Sequence, residues 1–407
     1  MRVTSMLLLL LACACGGDGN GVGDGDGSDA EPGQPDPGTY PGNGSTLATA
    51  SGCEGVFNPA QVLRYDLTMA PGEWATVLSD SSYATYVEAE MSCNDGAPIV
   101  VGVRRKRSGG TNKVGLKIDI NEFVAGQRYF DLKKLSFENG VSEGSAEDGA
   151  EAKTYVEEYL AWRLVTLSNM VGGRAALIEV YVNGDPLGVF SNVEQVDKRF
   201  LKDRLGDDTG WLYKLSGGVN DGFKTHETDG LDDPYDDYLC FLSKTSGCPV
   251  PGAAELATEL PMRVDIPQLL KMGAVNAIMA NSDAPLFKDN NYYWYDYATG
   301  PRVYIPWDLD TVMNRNVDVI TGGVGGQTDM YTSVLFPTWE DDYRQILSEL
   351  LSGPLTEAVI HAELDAIETA AADAFANDPY ASGSLSEAVS SLKTYWSGRL
   401  QTVASQL

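Results

Sequence analysis

Three side chains near the middle of the chain have the types and order needed to hold a divalent metal beside a hydroxyl group. Asp283 follows a predicted helix, Asn291 precedes a predicted strand, and Asp308 follows the next strand. A hairpin that turns about residues 299–300 would bring Asn291 opposite Asp308. Two carboxylates and an amide at one cleft can bind metal and phosphate while they orient a hydroxyl. Asp310 is a further candidate metal ligand, or alternatively the cap of a following turn.

A helix and a β-hairpin are the elements that must position these residues. Asp265 is a suitable N-cap, and apolar residues recur after it at helical spacing until Asn281-Ser282-Asp283. Residues 292–297 and 302–305 are aromatic and β-branched runs, separated by the turn sequence ATGP. The sequence therefore predicts a helix, a polar loop and a hairpin, with acidic and amide side chains at the junctions.

The order Asp, loop, Asn, hairpin, Asp is also the order of the catalytic and metal-binding residues in protein kinases. The segments VDIPQLLKMGAVNAIMANSD, NNYYWYD and VYIPWDLD resemble the core motifs of the CotH family, atypical protein kinases named for a spore-coat protein. Upstream, VYVNGDPLGVFSNVEQVDKRFL and GWLYKL resemble two further segments of that family. The resemblance runs from about residue 55 to the C-terminus, with its motifs in the family order.

The resemblance implies an α+β, kinase-like domain of two lobes over residues 55–407, with a β-rich N-terminal lobe (about 55–215) and a mostly helical C-terminal lobe (about 216–407). It implies transfer of the ATP γ-phosphoryl group to Ser or Thr of an exported or surface protein. Asp283 would orient and deprotonate the hydroxyl, while Asn291 and Asp308 would hold Mg²⁺ or Mn²⁺ against the phosphates.

The sequence does not identify a single nucleotide-binding lysine. The family has a Pro-Lys-Lys strand where this chain has VRRKRSGGTNKVGLKIDI, so Lys113 and Lys117 are both candidates. Glu194 is the acid that the family motif supplies nearby. It pairs either with that lysine or with Arg163, which lies in the apolar stripe of a predicted helix.

Charge and histidine content exclude several other classes. The chain has 58 acidic and 29 basic residues, a net charge of −29, which disfavours nucleic acid as a partner because a phosphate backbone would be repelled. Only two histidines are present, His226 and His361, which argues against His-based zinc sites and against a Ser-His-Asp hydrolase.

The N-terminus has the features of an export signal over residues 1–15. A short apolar run ends in Leu10-Leu11-Ala12-Cys13, which resembles a bacterial lipobox and predicts a lipid on Cys13. Cys15 as the modified residue and an ordinary cleaved signal are the alternatives. Residues 16–50 are mostly Gly, Asp, Ser and Pro, which predicts a flexible acidic tether. The protein is thus expected to be exported and to meet a membrane only through the lipid anchor.

Export would place the remaining four cysteines in an oxidising compartment, where an even number favours disulfides. We expect the pairs Cys240–Cys248, which enclose a short loop, and Cys53–Cys93. An exported location also supports a rival function, that of a non-catalytic surface adhesion or coat-assembly protein with a kinase-like fold. A calcium-stabilised binding module is a third hypothesis, which rests only on the acidity of the chain.

Overall fold

Seven strands in the first half of the protein close into a barrel, in the order β1-β2-β3-β4-β5-β7-β6. The computed structural model describes residues 50–107, 110, 112–140, 156–215, 225–226, 252–288, 290–297, 300–313, 315–322, 330–381 and 383–407. Pairing is antiparallel throughout except between β1 and β6, which run parallel and close the barrel. The strands are β1 (Leu63–Thr68), β2 (Val87–Cys93), β3 (Ile99–Arg105), β4 (Leu116–Asp119), β5 (Lys134–Glu138), β6 (Ala175–Val182) and β7 (Asp185–Val193).

Alternation of apolar and polar residues separates the two faces of the barrel wall. Val103, Ile118 and Leu135 are cross-strand neighbours in β3, β4 and β5, and all three are fully buried in the barrel core. The residues adjacent to them in sequence, Arg104, Lys117 and Ser136, are also cross-strand neighbours. Because successive side chains of a strand point to opposite faces, this second set lies on the outer face of the wall.

A four-stranded antiparallel sheet forms in the second half, in the order β11-β10-β8-β9. Its aromatic side chains form the core; Tyr213 stacks on Trp294 at a centroid distance of 5.3 Å. The hairpin predicted from the two aromatic runs is present as β10 and β11. The strands are β8 (Trp211–Leu215), β9 (Thr225–His226), β10 (Tyr292–Asp296) and β11 (Val303–Pro306).

Helices dominate the C-terminal part, so the predicted α+β arrangement, with a β-rich N-terminal part and a helical C-terminal part, is confirmed. The helices are α1 (Pro71–Ser79), α2 (Glu157–Leu167), α3 (Lys198–Leu205), α4 (Ala253–Glu259), α5 (Ile266–Ile278), α6 (Phe336–Ser352), α7 (Glu357–Ala376) and α8 (Leu385–Ala404). Asp265 caps α5 as predicted, because its side chain accepts the Gln268 N–H at 3.0 Å. Within the described residues, no helix is both long and apolar enough to cross a bilayer.

The chain after α7 returns to the barrel through Asp378. Its Oδ2 accepts the Lys113 ammonium at 2.7 Å and the Val189 N–H at 2.8 Å. The approach is close enough to require glycine at position 188, where a Cβ would lie 2.5 Å from the Asp378 carboxylate and φ is +109°. A C-terminal residue therefore supplies the counter-ion of Lys113 in the N-terminal barrel.

Cys53 and Cys93 form a disulfide, as predicted, with a Cα–Cα distance of 6.1 Å. This bond ties the segment before β1 to the end of β2. The other predicted pair, Cys240 and Cys248, lies outside the described residues, as do the export signal, the Cys13 lipobox and the tether up to residue 49.

Candidate active site

Asp283 lies in the loop that follows α5, in contact with the segment that leads into β10. Its Oδ2 accepts hydrogen bonds from the side-chain amides of Asn290 at 3.0 Å and Asn291 at 2.7 Å. Its other oxygen, Oδ1, pairs with the Lys288 ammonium at 2.5 Å. The side chain remains 19% exposed, so the carboxylate is held in place and still reaches solvent.

The hairpin places Asn291 one residue away from its predicted partner. Tyr292 pairs with Pro306, and the Trp307 N–H donates to the Asn291 carbonyl at 3.1 Å, so Asn291 lies opposite Trp307 rather than Asp308. The strand register therefore differs by one residue from the predicted one. Asn291 and Asp308 both have positive φ, +59° and +56°, a conformation that Asn and Asp adopt more readily than most residues.

Main-chain hydrogen bonds join the loop that carries Asp283 to the loop that carries Asp308. The Ser282 N–H donates to the Thr311 carbonyl at 3.2 Å, and the Met313 N–H donates to the Met279 carbonyl at 2.9 Å. Asp283 and Asp308 are therefore positioned by one hydrogen-bonded pair of loops, although 25 positions separate them in the sequence.

A cluster of carboxylates surrounds Asp308. Partial desolvation and the charges of Asp308 and Asp283 raise the pKa of Asp310 to about 7, even though its side chain reaches solvent. Burial, reinforced by the charges of Asp310 and Asp308, raises the pKa of Glu158 in α2 to about 8. Like charges held this closely destabilise one another, and a bound cation would relieve that repulsion.

Basic side chains from three strand regions lie near one another, and one of them, Lys106, is attracted by Asp308 and Glu158 of this carboxylate cluster. Burial and the charges of Lys106, Lys134 and Arg104 hold the pKa of Lys117 well below its usual range. Burial lowers the pKa of Lys106 to about 8, against the opposing attraction of Asp308 and Glu158. Lys106 lies just after β3, where its ammonium donates to Ser136 Oγ at 2.8 Å and pairs with Glu138.

The positive charge of Lys214 in β8 also lowers the pKa values of Lys106 and Lys117. Its ammonium lies over the rings of Tyr293 and Trp307, 5.3 and 5.0 Å from their centroids. Two lysines of the barrel wall and one of the second sheet thus form a concentrated positive patch in a strongly acidic protein. This patch is defined by Lys106, Lys117 and Lys214.

Lys113 and Glu194, which the sequence suggested as nucleotide-binding residues, form ion pairs with other residues of the protein. Lys113 is only 1% exposed and forms the buried ion pair with Asp378. Glu194 pairs with neither predicted partner: it binds Arg174, through Nε at 3.0 Å, and Arg204, through Nη2 at 2.7 Å. Although burial opposes it, these two arginines lower the pKa of Glu194.

Arg163, the other predicted partner of Glu194, instead pairs with Glu363 of α7 at 2.9 Å. Glu194 and Arg163 therefore both serve ion pairs within the fold. Lys117 is the one member of the predicted Lys113, Lys117 and Glu194 set that the structure places in the positive patch.

Sequence reasoning did not select Lys106, Lys214 or Glu158 as site residues. Lys106 stands in the basic run VRRKR, and Lys214 is the lysine of the LYK strand, so both had a local signal. Glu158 lies in the first turn of α2, and its sequence neighbours gave no indication that it would be buried and influenced by the charge of Asp308.

The donor set fits a divalent metal bound together with phosphate. Asp308 and Asp310 are exposed carboxylates. Asn291 donates a side-chain amide N–H to Asp283, and its amide oxygen is a ligand that suits a hard cation. In the described part of the chain, no three His, Cys, Asp or Glu side chains are grouped as a complete metal site. Such a set matches Mg²⁺, which is usually held by one or two carboxylates together with substrate phosphates and water.

Seven chains of solved structures match this protein, and two of them are described here. A Helicobacter pylori proinflammatory kinase, CtkA, aligns at 11% identity and a TM-score of 0.36, over 72% of this chain and 92% of that one. A Shewanella oneidensis HipA–HipB toxin–antitoxin complex with operator DNA aligns at 15% identity and a TM-score of 0.36, over 86% of this chain and 74% of that one. Similarity at this level supports no further conclusion.

No curated protein matches the chain. The family model described as "CotH kinase protein" matches residues 111–403. This range contains Lys117 and Lys214 of the positive patch, but not Lys106, and it contains all the candidate acidic residues. Because this match spans well over half of the sequence, the protein belongs to the CotH kinase family.

Proposed function

We propose that this protein is a protein kinase that transfers the γ-phosphoryl group of ATP to Ser or Thr hydroxyls of other proteins. One observation carries the proposal: Lys106 and Lys117, whose pKa values are depressed, share a positive patch with Lys214, and Lys106 is attracted by Asp308 and by Glu158, whose pKa, like that of Asp310, is raised. A metal–nucleotide complex carries the complementary charges, since its phosphates neutralise the lysines and its cation neutralises the carboxylates.

Lys117 is the residue that we assign to the phosphates first. It lies on the outer face of the barrel wall, and its main electrostatic neighbours are other cations. Among the described residues, no carboxylate forms an ion pair with its ammonium, and Asp197 acts on it only through its charge, so a bound phosphate would supply a direct counter-ion. Lys106 and Lys214 extend the same positive surface, whereas Lys113 forms a buried ion pair with Asp378.

Asp283 is the residue that we assign to the acceptor hydroxyl. The two amides on Oδ2 and Lys288 on Oδ1 fix the plane of its carboxylate. In the reaction, the hydroxyl oxygen bonds to the γ-phosphorus, the bond from that phosphorus to the bridging oxygen of ADP breaks, and the hydroxyl proton passes to Asp283. Asp308, Asp310 and Asn291 would hold Mg²⁺ or Mn²⁺, which supplies positive charge at the phosphates.

We further propose that the acceptor is an exported or surface protein and that a lipid on Cys13 anchors the kinase. The Leu10-Leu11-Ala12-Cys13 run supports this placement, and the Cys53–Cys93 disulfide is compatible with an oxidising compartment.

Phosphate transfer from γ-labelled ATP tests the proposed reaction. The purified protein is incubated with Mg²⁺ or Mn²⁺, a generic protein acceptor and labelled ATP, and the label is traced by phosphoamino acid analysis. We expect metal-dependent labelling of Ser or Thr that disappears in Asp283→Asn. A wild-type protein that neither binds ATP with metal nor labels any acceptor would leave the non-catalytic surface protein as the better hypothesis.

A further inference from the structure

The loop between β4 and β5, residues 120–133, presents apolar side chains to solvent. In the described part of the chain, five large apolar side chains are exposed, and three of them lie in this loop: Phe123 at 44%, Val124 at 39% and Phe130 at 40%. Single exposed apolar residues are ordinary on a protein surface, whereas several within one short loop indicate a surface that binds a partner. We call residues 120–133 the aromatic loop.

Phe130 is exposed in a backbone conformation that does not suit it. Tyr129 and Leu132 exchange two main-chain hydrogen bonds, at 3.0 and 2.9 Å. The residues between them, Phe130 and Asp131, form the turn, and both have positive φ, +47° and +66°. Such a turn favours Asn and Gly, and a bulky residue with positive φ is strained. Apart from an edge contact with the Tyr129 ring, the fold gains little from phenylalanine here, which indicates a role in binding.

The barrel holds the aromatic loop in this shape. The Gln127 side chain donates to the carbonyl groups of Val100 and Ile120, at 2.7 Å each. Tyr129 packs against the barrel core, with its ring centroid 6.3 Å from that of Tyr65. The exposed rings are thus presented by a fixed scaffold, so that little conformational entropy would be lost when they bind.

The charges of the aromatic loop differ from those of the protein as a whole. Arg128 and Lys133 are exposed, and neither forms an ion pair within the described residues. Of the two acids in the loop, Asp131 pairs with Arg199 at 3.3 Å and Glu122 is exposed. The loop is therefore neutral in a chain whose net charge is −29. Aromatic rings beside basic side chains suit the interface of a lipid bilayer, where cations meet lipid phosphates.

The chain enters the described domain beside this loop. The Cys53–Cys93 disulfide ties the first described segment to β2. Cys93 is the cross-strand neighbour of Tyr65, whose ring meets that of Tyr129. Burial raises the pKa of Tyr129, and the charge of Glu54 adds to this rise, which also places Glu54 near the base of the loop.

The length of chain before this entry point matches the distance to a membrane. Cys13 and Ala50 are separated by 36 residues. A flexible Gly-rich chain of that length has an end-to-end distance of about 35 Å. A lipid on Cys13 would therefore keep the aromatic loop within reach of the bilayer that holds the lipid.

We propose that the aromatic loop is a membrane-contact surface. Phe123, Val124 and Phe130 insert into the interface of the bilayer that holds the anchor, and Arg128 and Lys133 contact its lipid phosphates. The choice of a membrane as the partner rests on the proposed lipid anchor at the N-terminus. It does not depend on phosphoryl transfer.

An anchor makes a weak contact of this kind sufficient. Once a lipid holds the protein at the membrane, binding of the loop is an intramolecular step with an effective concentration in the millimolar range. Lys106 and the loop lie at opposite ends of β4, since the Lys106 N–H donates to the Gly115 carbonyl just before that strand and the loop follows it. The contact would therefore orient the domain without covering Lys106.

Photo-cross-linking to lipid, mapped by mass spectrometry of peptides, tests the proposal. The vesicles contain phosphatidylcholine, phosphatidylglycerol and a lipid with a photoreactive acyl chain. Two full-length preparations are compared: the protein exported by its native host and reconstituted into vesicles, and the Cys13→Ser chain added to preformed vesicles. Within the described domain, labelling should concentrate in residues 120–133 and be far lower at Met262, the most exposed large apolar side chain elsewhere in the described residues.

The double variant Phe123→Ser/Phe130→Asn removes the two rings. It should reduce labelling of the loop by roughly tenfold or more, as expected for the loss of partly buried aromatic side chains. Because Asn suits the positive φ at position 130, this variant should unfold at no lower temperature than wild type, which shows that it is folded. Met262→Ser is the matched control for an exposed apolar side chain and should leave labelling of the loop unchanged.

The double variant Arg128→Gln/Lys133→Gln tests the charges. It should reduce labelling on the anionic vesicles and have no effect on vesicles of phosphatidylcholine alone, because only the anionic surface attracts the two cations. Equal labelling of this variant and wild type on anionic vesicles would remove the two basic residues from the contact.

Labelling of the loop above the level of Met262 in either preparation supports the proposal. The mass of the N-terminal peptide shows separately whether Cys13 carries a lipid, so that failure of the anchor and failure of the membrane contact are distinguishable. The proposal is overturned if the loop is labelled in neither preparation, or if Phe123→Ser/Phe130→Asn is labelled as wild type is. Protection of the loop from hydrogen exchange that depends on protein concentration and not on vesicles would instead indicate contact between copies, and would also overturn it.

Discussion

The side-chain amide of Asn291 donates to Oδ2 of Asp283 at 2.7 Å. This contact connects the residue assigned to the acceptor hydroxyl with a residue assigned to the metal. Because the amide N–H is donated to Asp283, the amide oxygen is directed away from that carboxylate, and we assign this oxygen to the proposed metal. The orientation of the base and the completeness of the metal site are therefore coupled through one amide group.

Replacement of Asp308 by Ala should remove nucleotide-dependent stabilisation. With Mg²⁺ and ATP at about a hundredfold above Kd, wild type should gain roughly 2–3 kcal/mol in its free energy of unfolding. Asp308→Ala should show no such gain, and its unliganded melting temperature should fall only slightly, because the side chain is exposed but the positive φ at this position suits Asp better than Ala. Thermal unfolding with and without metal–ATP measures both quantities. An equal gain in the variant would remove Asp308 from the metal site.

Replacement of Asp283 by Asn should separate binding from chemistry. The amide keeps a similar shape but cannot accept the hydroxyl proton, so nucleotide binding should persist while phosphate transfer is lost. Labelled-phosphate transfer and nucleotide titration on the same preparation give the two readouts. If both properties disappeared, or if neither did, the assigned role of Asp283 would be wrong.

Lys117→Met and Lys113→Met form a matched pair of variants that should behave in opposite ways. Lys117 is a desolvated cation beside other cations, so its loss should weaken ATP binding without lowering unliganded stability. Loss of Lys113 leaves the Asp378 carboxylate buried without its partner and should cost about 3–5 kcal/mol of stability. Urea unfolding and ATP titration of both variants make the comparison. The reverse pattern would make Lys113 the nucleotide lysine.

Glu158→Gln should flatten the pH dependence of unliganded stability. The pKa of Glu158 is raised from 4.5 to about 8, so the folded protein holds its proton more tightly than the unfolded chain does. Its contribution therefore falls as pH rises between about 4.5 and 8, by at most about 1.4 kcal/mol per pH unit. Urea unfolding of wild type and variant at several pH values isolates this contribution. Parallel pH curves for the two proteins would contradict it.

Loss of the Cys53–Cys93 bond should destabilise the barrel. The cross-link spans a sequence separation of 40, for which the chain-entropy model gives a stabilisation of about 4 kcal/mol. The double substitution to Ser should lower the urea midpoint, and reduction of wild type should have a similar effect. Free thiols at both positions in protein isolated from its native host would show that the bond is not formed there.

The local elements of the site were predictable from sequence because short-range patterns encode them. The Asp265 cap, the apolar periodicity of α5 and the two aromatic strands gave the helix and the hairpin. The register was wrong by one residue, since it depends on the conformation of the turn and not on the strand patterns. The sequence of residues 56–120 also predicts four strands, near residues 62–67, 86–91, 99–103 and 116–120, and the structure has β1 to β4 at these positions.

Ion-pair partners were not predictable in the same way. The partner of Lys113 lies 265 positions away, and that of Arg163 lies 200 positions away. A charged residue in an apolar stripe indicates that a counter-ion is needed, but only the tertiary fold determines which acid supplies it. The same limit applies to Glu158, whose raised pKa depends on loops more than a hundred positions further along the chain.

The pairing of Lys113 with Asp378 has a consequence for the order in which the protein acquires its structure. The ribosome synthesises all seven barrel strands well before it reaches Asp378. During that interval the Lys113 ammonium either remains hydrated or is buried without a counter-ion, at a cost of several kcal/mol. The barrel can therefore reach its final packing only when the segment after α7 is present, so that folding of the N-terminal part depends on the C-terminal part of the chain.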